Sequence, residues 1–348
     1  MSDAPETDQI AGAPHPRRVG AFVGHDEAEA QIAAAMAESR LHHAWLIAGP
    51  RGLGKATLAY RFARALLGAR RIGPRPFDVD PEDPVARRVV NLSHGDLFVL
   101  RRGIGDRGRA RREIAAEEAR AMPGFFSLAP AEGGWRVAIV DSVDDLNRHA
   151  ANALLKILEE PPARCVLLLI CHAPGAALAT IRSRCRRITL RPLSDADCAV
   201  AVRGALGVDA DPRAIALAKG RPGRAVALQA LAAPKMAEAL EQALRRLAQD
   251  GPQGFAALAF DRAGDAHDRL DLMLDLTQDL IADAVAAVSR GEVGPLPGLI
   301  TNASAPAWAK AWTDLSALRD QADGLGQDPT HAMLRAGAIL AQAGGARA

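Results

Sequence analysis

HHAWLIAGPRGLGKATLAYRFARALL, residues 42–67, decides how this chain is read. Gly49, Gly52, Gly54 and Lys55 fit the phosphate-loop pattern G-x-x-x-x-G-K-[ST] at every fixed position except the last, where Ala56 stands. Glycines there let backbone N–H groups close on phosphate oxygens at a helix N-terminus, and Lys55 would meet the β/γ charge. The hydroxyl missing at 56 is the one that normally holds Mg²⁺. The loop therefore keeps the means to hold ATP or ADP, with Mg²⁺ only if nucleotide is bound, and lacks part of the means to hydrolyse it. Its context is right: Ala44–Ala48 is a short apolar run, and Leu58, Phe62, Ala65 and Leu66 recur at helical spacing after Thr57.

Working outward, residues 68–95, with RRIGPRPFDVDPEDP, read as a surface excursion, and Asp96–Leu100 as the next strand. RRGIGDRGRARRE, residues 101–113, holds six arginines and three glycines and reads as a basic segment, either a solvated loop or a contact for a phosphate backbone or acidic partner. Trp135–Asp141 (WRVAIVD) is a strand ending in a carboxylate, the place where phosphate-loop proteins hold Mg²⁺ or its water. Hydrolysing ATPases of the AAA+ class continue with Glu; this chain continues with Ser142. Ala56 and Ser142 are two defects pointing the same way. DLNRHAANALLKILEE, residues 145–160, has a helical apolar side and stops at Pro161 and Pro162. Residues 164–171 (RCVLLLIC) form an almost wholly apolar strand, and Ile188–Leu190 a further short one. Strands alternating with helices from 44 to 190 predict an α/β domain with a parallel sheet.

Composition frames this. At 348 residues, 49% hydrophobic and 24% charged, the chain is long enough for two or three domains, and its Ala- and Leu-rich apolar content favours helices. A formal charge of +2 gives no overall drive toward nucleic acid. No stretch approaches a membrane span and the first 20 residues lack the apolar core of a signal peptide, so a cytoplasmic protein without membrane partners is expected. Cys165, Cys171, Cys185 and Cys198 form no C-x-x-C pair; reduced thiols and no metal site are expected.

AANALLKILEEPP (150–162) followed by IRSRC (181–185) resembles the clamp-loader branch of the AAA+ superfamily, and within it the delta-prime family of bacterial DNA polymerase III. FVGHDEAEAQI (22–32), the phosphate loop, SHGDLFVL (93–100), VAIVD (137–141), the long helix and Ser183-Arg184-Cys185 occur in family order across about 170 residues. The resemblance implies a five-subunit ring that uses ATP to place a sliding clamp on primed DNA. Its partners would be the gamma/tau and delta subunits, with clamp and DNA engaged through the complex. It further implies that Arg184 is an arginine finger reaching in trans to the γ-phosphate of a neighbouring subunit, where a guanidinium stabilises charge on the transferring phosphoryl group. Delta-prime subunits are typically not ATPases, which agrees with Ala56 and Ser142.

The chain departs from that family by keeping Lys55 and the loop glycines, and by lacking the cysteine cluster that many relatives carry after the loop helix, so no zinc is expected. GRPGRAVAL, residues 220–228, offers Arg221 or Arg224 as the lid's sensor arginine, with Arg224 preferred. The candidate nucleotide-binding residues are thus Gly49, Gly52, Gly54, Lys55, Thr57, Asp141 and Arg224, and the candidate catalytic residue is Arg184. Three domains are expected: an AAA+ phosphate-loop domain over 1–190, a small helical lid over 191–233 with a hinge near 232–235, and an all-α collar over 234–348, whose assembly role rests on the resemblance. The competing reading is an active AAA+ ATPase, such as the motor subunit of the same loader. A motor should carry a hydroxyl at 56 and Glu at 142. A DNA-binding regulator would need a recognition element, and none stands out.

Overall fold

The computed structural model describes residues 6–10, 13–20, 22–38, 40–104, 111, 113–132, 134–175, 177–256, 258, 266–325 and 327–345. Most of the basic segment, residues 105–110 and 112, lies outside them. Five parallel strands form one sheet: β1 Ala44–Ala48, β2 Leu97–Arg101, β3 Arg136–Asp141, β4 Cys165–Cys171 and β5 Arg186–Thr189, in the order β2-β3-β4-β1-β5. The phosphate-loop strand β1 lies inside the sheet, with Ala44 opposite Leu167 and Trp45 opposite Arg186. The helices around it are α1 Asp26–Ala37, α2 Lys55–Leu66, α3 Pro84–Val90, α4 Ala116–Ala119, α5 Ala121–Ser127, α6 Arg148–Glu159 and α7 Ala179–Ser183.

Strand alternation sorts the core into two faces. Trp45, Ile47, Ile139 and Leu168 point to one, where Ile32 of α1 and Leu58 and Phe62 of α2 cover them. Leu46, Val140, Leu167 and Leu169 point to the other, under Ala119 of α4, Met122 and Phe126 of α5, and Leu154 and Ile157 of α6. Strands covered on both sides carry no polar alternation, which is why β4 reads CVLLLIC and is buried throughout.

Beyond the sheet come α8 Asp195–Leu206, α9 Pro212–Ala218 and α10 Pro222–Ala230. Ser194 caps α8, its Oγ accepting from the Asp197 N–H at 3.1 Å, and Asp211 caps α9. The chain divides into two compact units, Met1–Ala227 and Leu228–Ala348, the division falling within α10. The second unit is helical: α11 Ala233–Arg245, α12 Leu247–Asp250, α13 Gln253–Ala256, α14 Ala266–Ser289, α15 Ala305–Leu325 and α16 Pro329–Ala343. Trp308, Leu315, Met333 and Leu340 are among its buried residues. None of the described helices is long and apolar enough to cross a membrane.

Candidate nucleotide site

The phosphate loop leaves β1 and returns as α2. Gly54 has a φ of +84°, the left-handed region that a side chain resists, and from there α2 begins at Lys55. At Gly49, φ is +142° and an added Cβ would lie 2.6 Å from the carbonyl oxygen of Leu190, the residue directly after β5, so only glycine lets the loop pass there. This is a cradle shaped for a phosphate at a helix N-terminus. Lys55 is buried, and its Nζ donates to the carbonyls of Gly49 and Pro50, both at 2.6 Å. Burial lowers its pKa to about 8, against the opposing pull of Asp141. Asp141, at the end of β3, is raised to about 7, chiefly by burial and then by the negative charge of Asp8.

Ala56 lies in the first turn of α2, and Ser142 directly follows β3. Ala56 is half-buried and packs against the hydrophobic cluster beneath α2, and Thr57 beside it is buried. Ser142 is fully buried and its Oγ donates to Asp145 at 3.1 Å. Asp144 accepts the N–H groups of His172 and Ala173 at 2.6 and 2.9 Å, tying the end of β4 to the end of β3. The residues present thus fit a nucleotide phosphate, while the hydroxyl that Mg²⁺ would take from the first turn of α2 is absent from the sequence.

Arg224 joins the loop through its backbone. The Gly223 N–H donates to the Gly52 carbonyl at 2.8 Å, and a Cβ on Gly52 would stand 3.0 Å from the Arg224 nitrogen. Arg224 itself is buried. Arg184 is placed elsewhere. It ends α7 with its guanidinium about one-third exposed, donating to the Thr180 carbonyl at 3.1 Å and paired with Glu159, the last residue of α6, at 3.0 Å. The structure therefore brings together the loop, Lys55, Asp141 and Arg224, and holds Arg184 on its own at the end of another helix.

Two features escaped the sequence reading. His172, directly after β4, has its Nδ1 buried without a hydrogen-bond partner, and burial together with the positive charge of Lys55 holds its pKa far below the usual range. A polar residue directly after an apolar strand was the available signal. The second is the N-terminal segment. Asp8 pairs with Arg101 at 2.5 Å and lies 3.1 Å from His15 Nε2, while Glu6 pairs with Arg17 and Arg101. Arg101 is the register neighbour of Asp141, so this knot lies along the sheet edge that carries the site. Ile10 reaches toward Gly223 and Gly52 from the same segment. Glu6, Asp8 and His15 are spaced closely enough to share a cation. Two arginines already neutralise the carboxylates, so the group is an ion-pair knot. Within the basic segment, Arg102 contacts Asp145 at 3.7 Å and Arg111 pairs with Glu118 at 2.8 Å.

Residues 24–194 match the family described as DNA polymerase III, delta subunit. The chain is 38% identical over 143 residues to the DNA polymerase III subunit delta' of Pseudomonas aeruginosa, covering 41% of each chain. Over this stretch the chain is similar to subunits of DNA polymerase III. It is also 34% identical over 155 residues to the delta' subunit of Yersinia pestis, covering 44% of this chain and 43% of that one. To the tau subunit of Escherichia coli it is 32% identical over 178 residues, 51% of this chain and 26% of that one. The match thus spans about two-fifths of the delta' relatives and a quarter of tau. Among solved structures, a DNA polymerase III gamma subunit-related protein of Thermotoga maritima aligns over 88% of this chain and 95% of that chain, at 16% identity and a TM-score of 0.38, a likeness too slight to bear on function. The matched stretch takes in both the phosphate loop and Ser183-Arg184-Cys185.

Proposed function

We propose that the chain serves as a delta-prime-type clamp-loader subunit, which holds nucleotide or leaves its loop empty, hydrolyses little ATP itself, and lends Arg184 to the ATP site of a neighbouring subunit. One observation carries this reading: the first-turn residue of α2 is Ala56 and the residue after Asp141 is a buried Ser142, while Arg184 sits half-buried just after α7, ahead of the start of β5 and so at the other end of the strands from the loop. A site without the metal-holding hydroxyl and the glutamate that polarises water loses orders of magnitude in rate. A partly exposed guanidinium paired with Glu159 would exchange that partner for a phosphate across a subunit boundary.

In this reading the gamma/tau and delta subunits complete a ring, residues 191–233 form the lid whose Arg224 faces the loop, and residues 234–348 form the collar. The sliding clamp and primed DNA are met through the complex, in the cytoplasm. The test is the reconstituted loader with Arg184→Ala. Assembly verified by gel filtration should be unchanged, and DNA-stimulated ATP turnover should fall at least about a hundredfold, as expected when a finger arginine is lost. Unchanged turnover in the assembled complex would remove the trans role.

A further inference from the structure

At the opposite end of α2 from the phosphate loop lies a second concavity, of about 370 Å³. Arg64 is nine residues beyond Lys55, about 14 Å along the helix at 1.5 Å per residue. The cleft is lined by Arg18, Arg64 and Arg87 together with Ala86, Val90 and Asn91. Glu82 lines it too and is paired with Arg87, which leaves Arg64 without a carboxylate partner.

Arg64 is the anomaly. It is 6% exposed; its Nε donates to the Tyr60 carbonyl of its own helix at 3.3 Å, and its Nη2 is buried with no hydrogen-bond partner. Burial and the like charge of Arg61 lower its pKa to about 10, still well above neutrality. The contrast with Arg61, one turn earlier, is direct: Arg61 is equally buried but is satisfied by Glu29 at 3.0 Å, Asp78 at 2.6 Å and the Gly20 carbonyl at 2.7 Å. A buried cation lacking such partners is costly, and an anion entering the cleft would supply what the fold leaves out.

We propose that this cleft binds a small phosphate-class anion through Arg64, with Arg18 and Arg87 closing on it from the rim. Guanidinium groups converging on one concavity suit the tetrahedral oxygens of phosphate, and a recess of this size takes one or two phosphate groups without the run of a nucleic-acid backbone. The site is separate from the nucleotide loop and independent of whether that loop hydrolyses.

Pyrophosphate, titrated calorimetrically into the full chain carrying Lys55→Ala so that the glycine loop is weakened as a competitor, tests it. Saturable binding at one site is expected, weakened about tenfold or more by adding Arg64→Gln, because a charge-assisted hydrogen bond to a buried group is lost. The exposed Arg87→Ala should weaken it by a smaller factor, and it decides the matter alone if Arg64→Gln fails to fold by circular dichroism. Absence of saturable binding up to millimolar pyrophosphate, or an affinity that neither substitution changes, overturns the proposal. Displacement of pyrophosphate by a short oligonucleotide would place a nucleic-acid backbone there and overturn the small-anion assignment.

Discussion

Asp141 shows how much the surroundings of one carboxyl change its chemistry. Its folded pKa of about 7 exceeds the ordinary 3.8 because burial and the negative charge of Asp8 outweigh the opposing pull of Lys55. A raised carboxyl pKa means that the native state holds the proton more tightly than the unfolded chain. The stability it contributes is complete below about pH 4 and is lost as pH rises through 7. Asp141→Asn removes that dependence, so the melting temperature of the variant relative to the parent should be higher at pH 8 than at pH 5. A difference that is the same at both values would show that Asp141 ionises in the fold as it does in water. Lys55 is shifted the other way, to about 8, and its Nζ is held by loop carbonyls. A phosphate arriving there replaces neutral acceptors with charged ones, the stronger kind of partner.

Among the elements, α2 carries most of the argument: its first turn makes the phosphate cradle, its middle anchors the lead-in segment, and its last turns wall the second cleft. In the middle, Glu29 of α1 is 1% exposed and accepts from both Arg61 and Arg75 at 3.0 Å. Both guanidinium groups also lie over the Phe22 ring, at 5.6 and 5.8 Å. Glu29→Ala should destabilise the first unit by about 3 kcal/mol, because it takes one of two carboxylates from the buried Arg61 and one from Arg75. Denaturant unfolding measures this, and a loss below about 1 kcal/mol would place Glu29 among ordinary surface pairs.

Much of this architecture was legible beforehand. The apolar runs at 44–48, 136–141 and 165–171 became β1, β3 and β4 within a residue of the expected limits, because strands covered on both faces leave an unbroken hydrophobic signature. The Pro161-Pro162 stop marked the end of α6 equally well. The residues 68–95 taken as a surface excursion contain α3, whose N-cap Asp83 and first-turn Pro84 were hidden among other prolines and aspartates. Helices α4 and α5 carry too few turns for a period to show. β5 begins at Arg186, two residues before the expected Ile188, because its outer residues are exposed and arginine-rich. At the site, the loop residues declared themselves through glycine spacing. His172, Asp8 and Arg64 did not, since their roles depend on long-range burial and on which charges come to lie beside them.

At the scale of the whole molecule, an α/β phosphate-loop unit is joined in one chain to a helical unit. The proteins it is similar to are named as subunits of DNA polymerase III, and the matched region takes in the loop, the strand ending in Asp141 and Ser183-Arg184-Cys185. The proposed role needs a nucleotide site that holds ATP without hydrolysing it. The purified full chain titrated with a fluorescent ATP analogue, with and without Mg²⁺, while phosphate release is followed in the same samples, tests it most directly. The account predicts binding that needs Lys55 and depends little on Mg²⁺, with no release above the uncatalysed background. Release at a motor-like rate of about 1 s⁻¹ or more, abolished by Lys55→Ala, would contradict it and make this chain an ATPase in its own right.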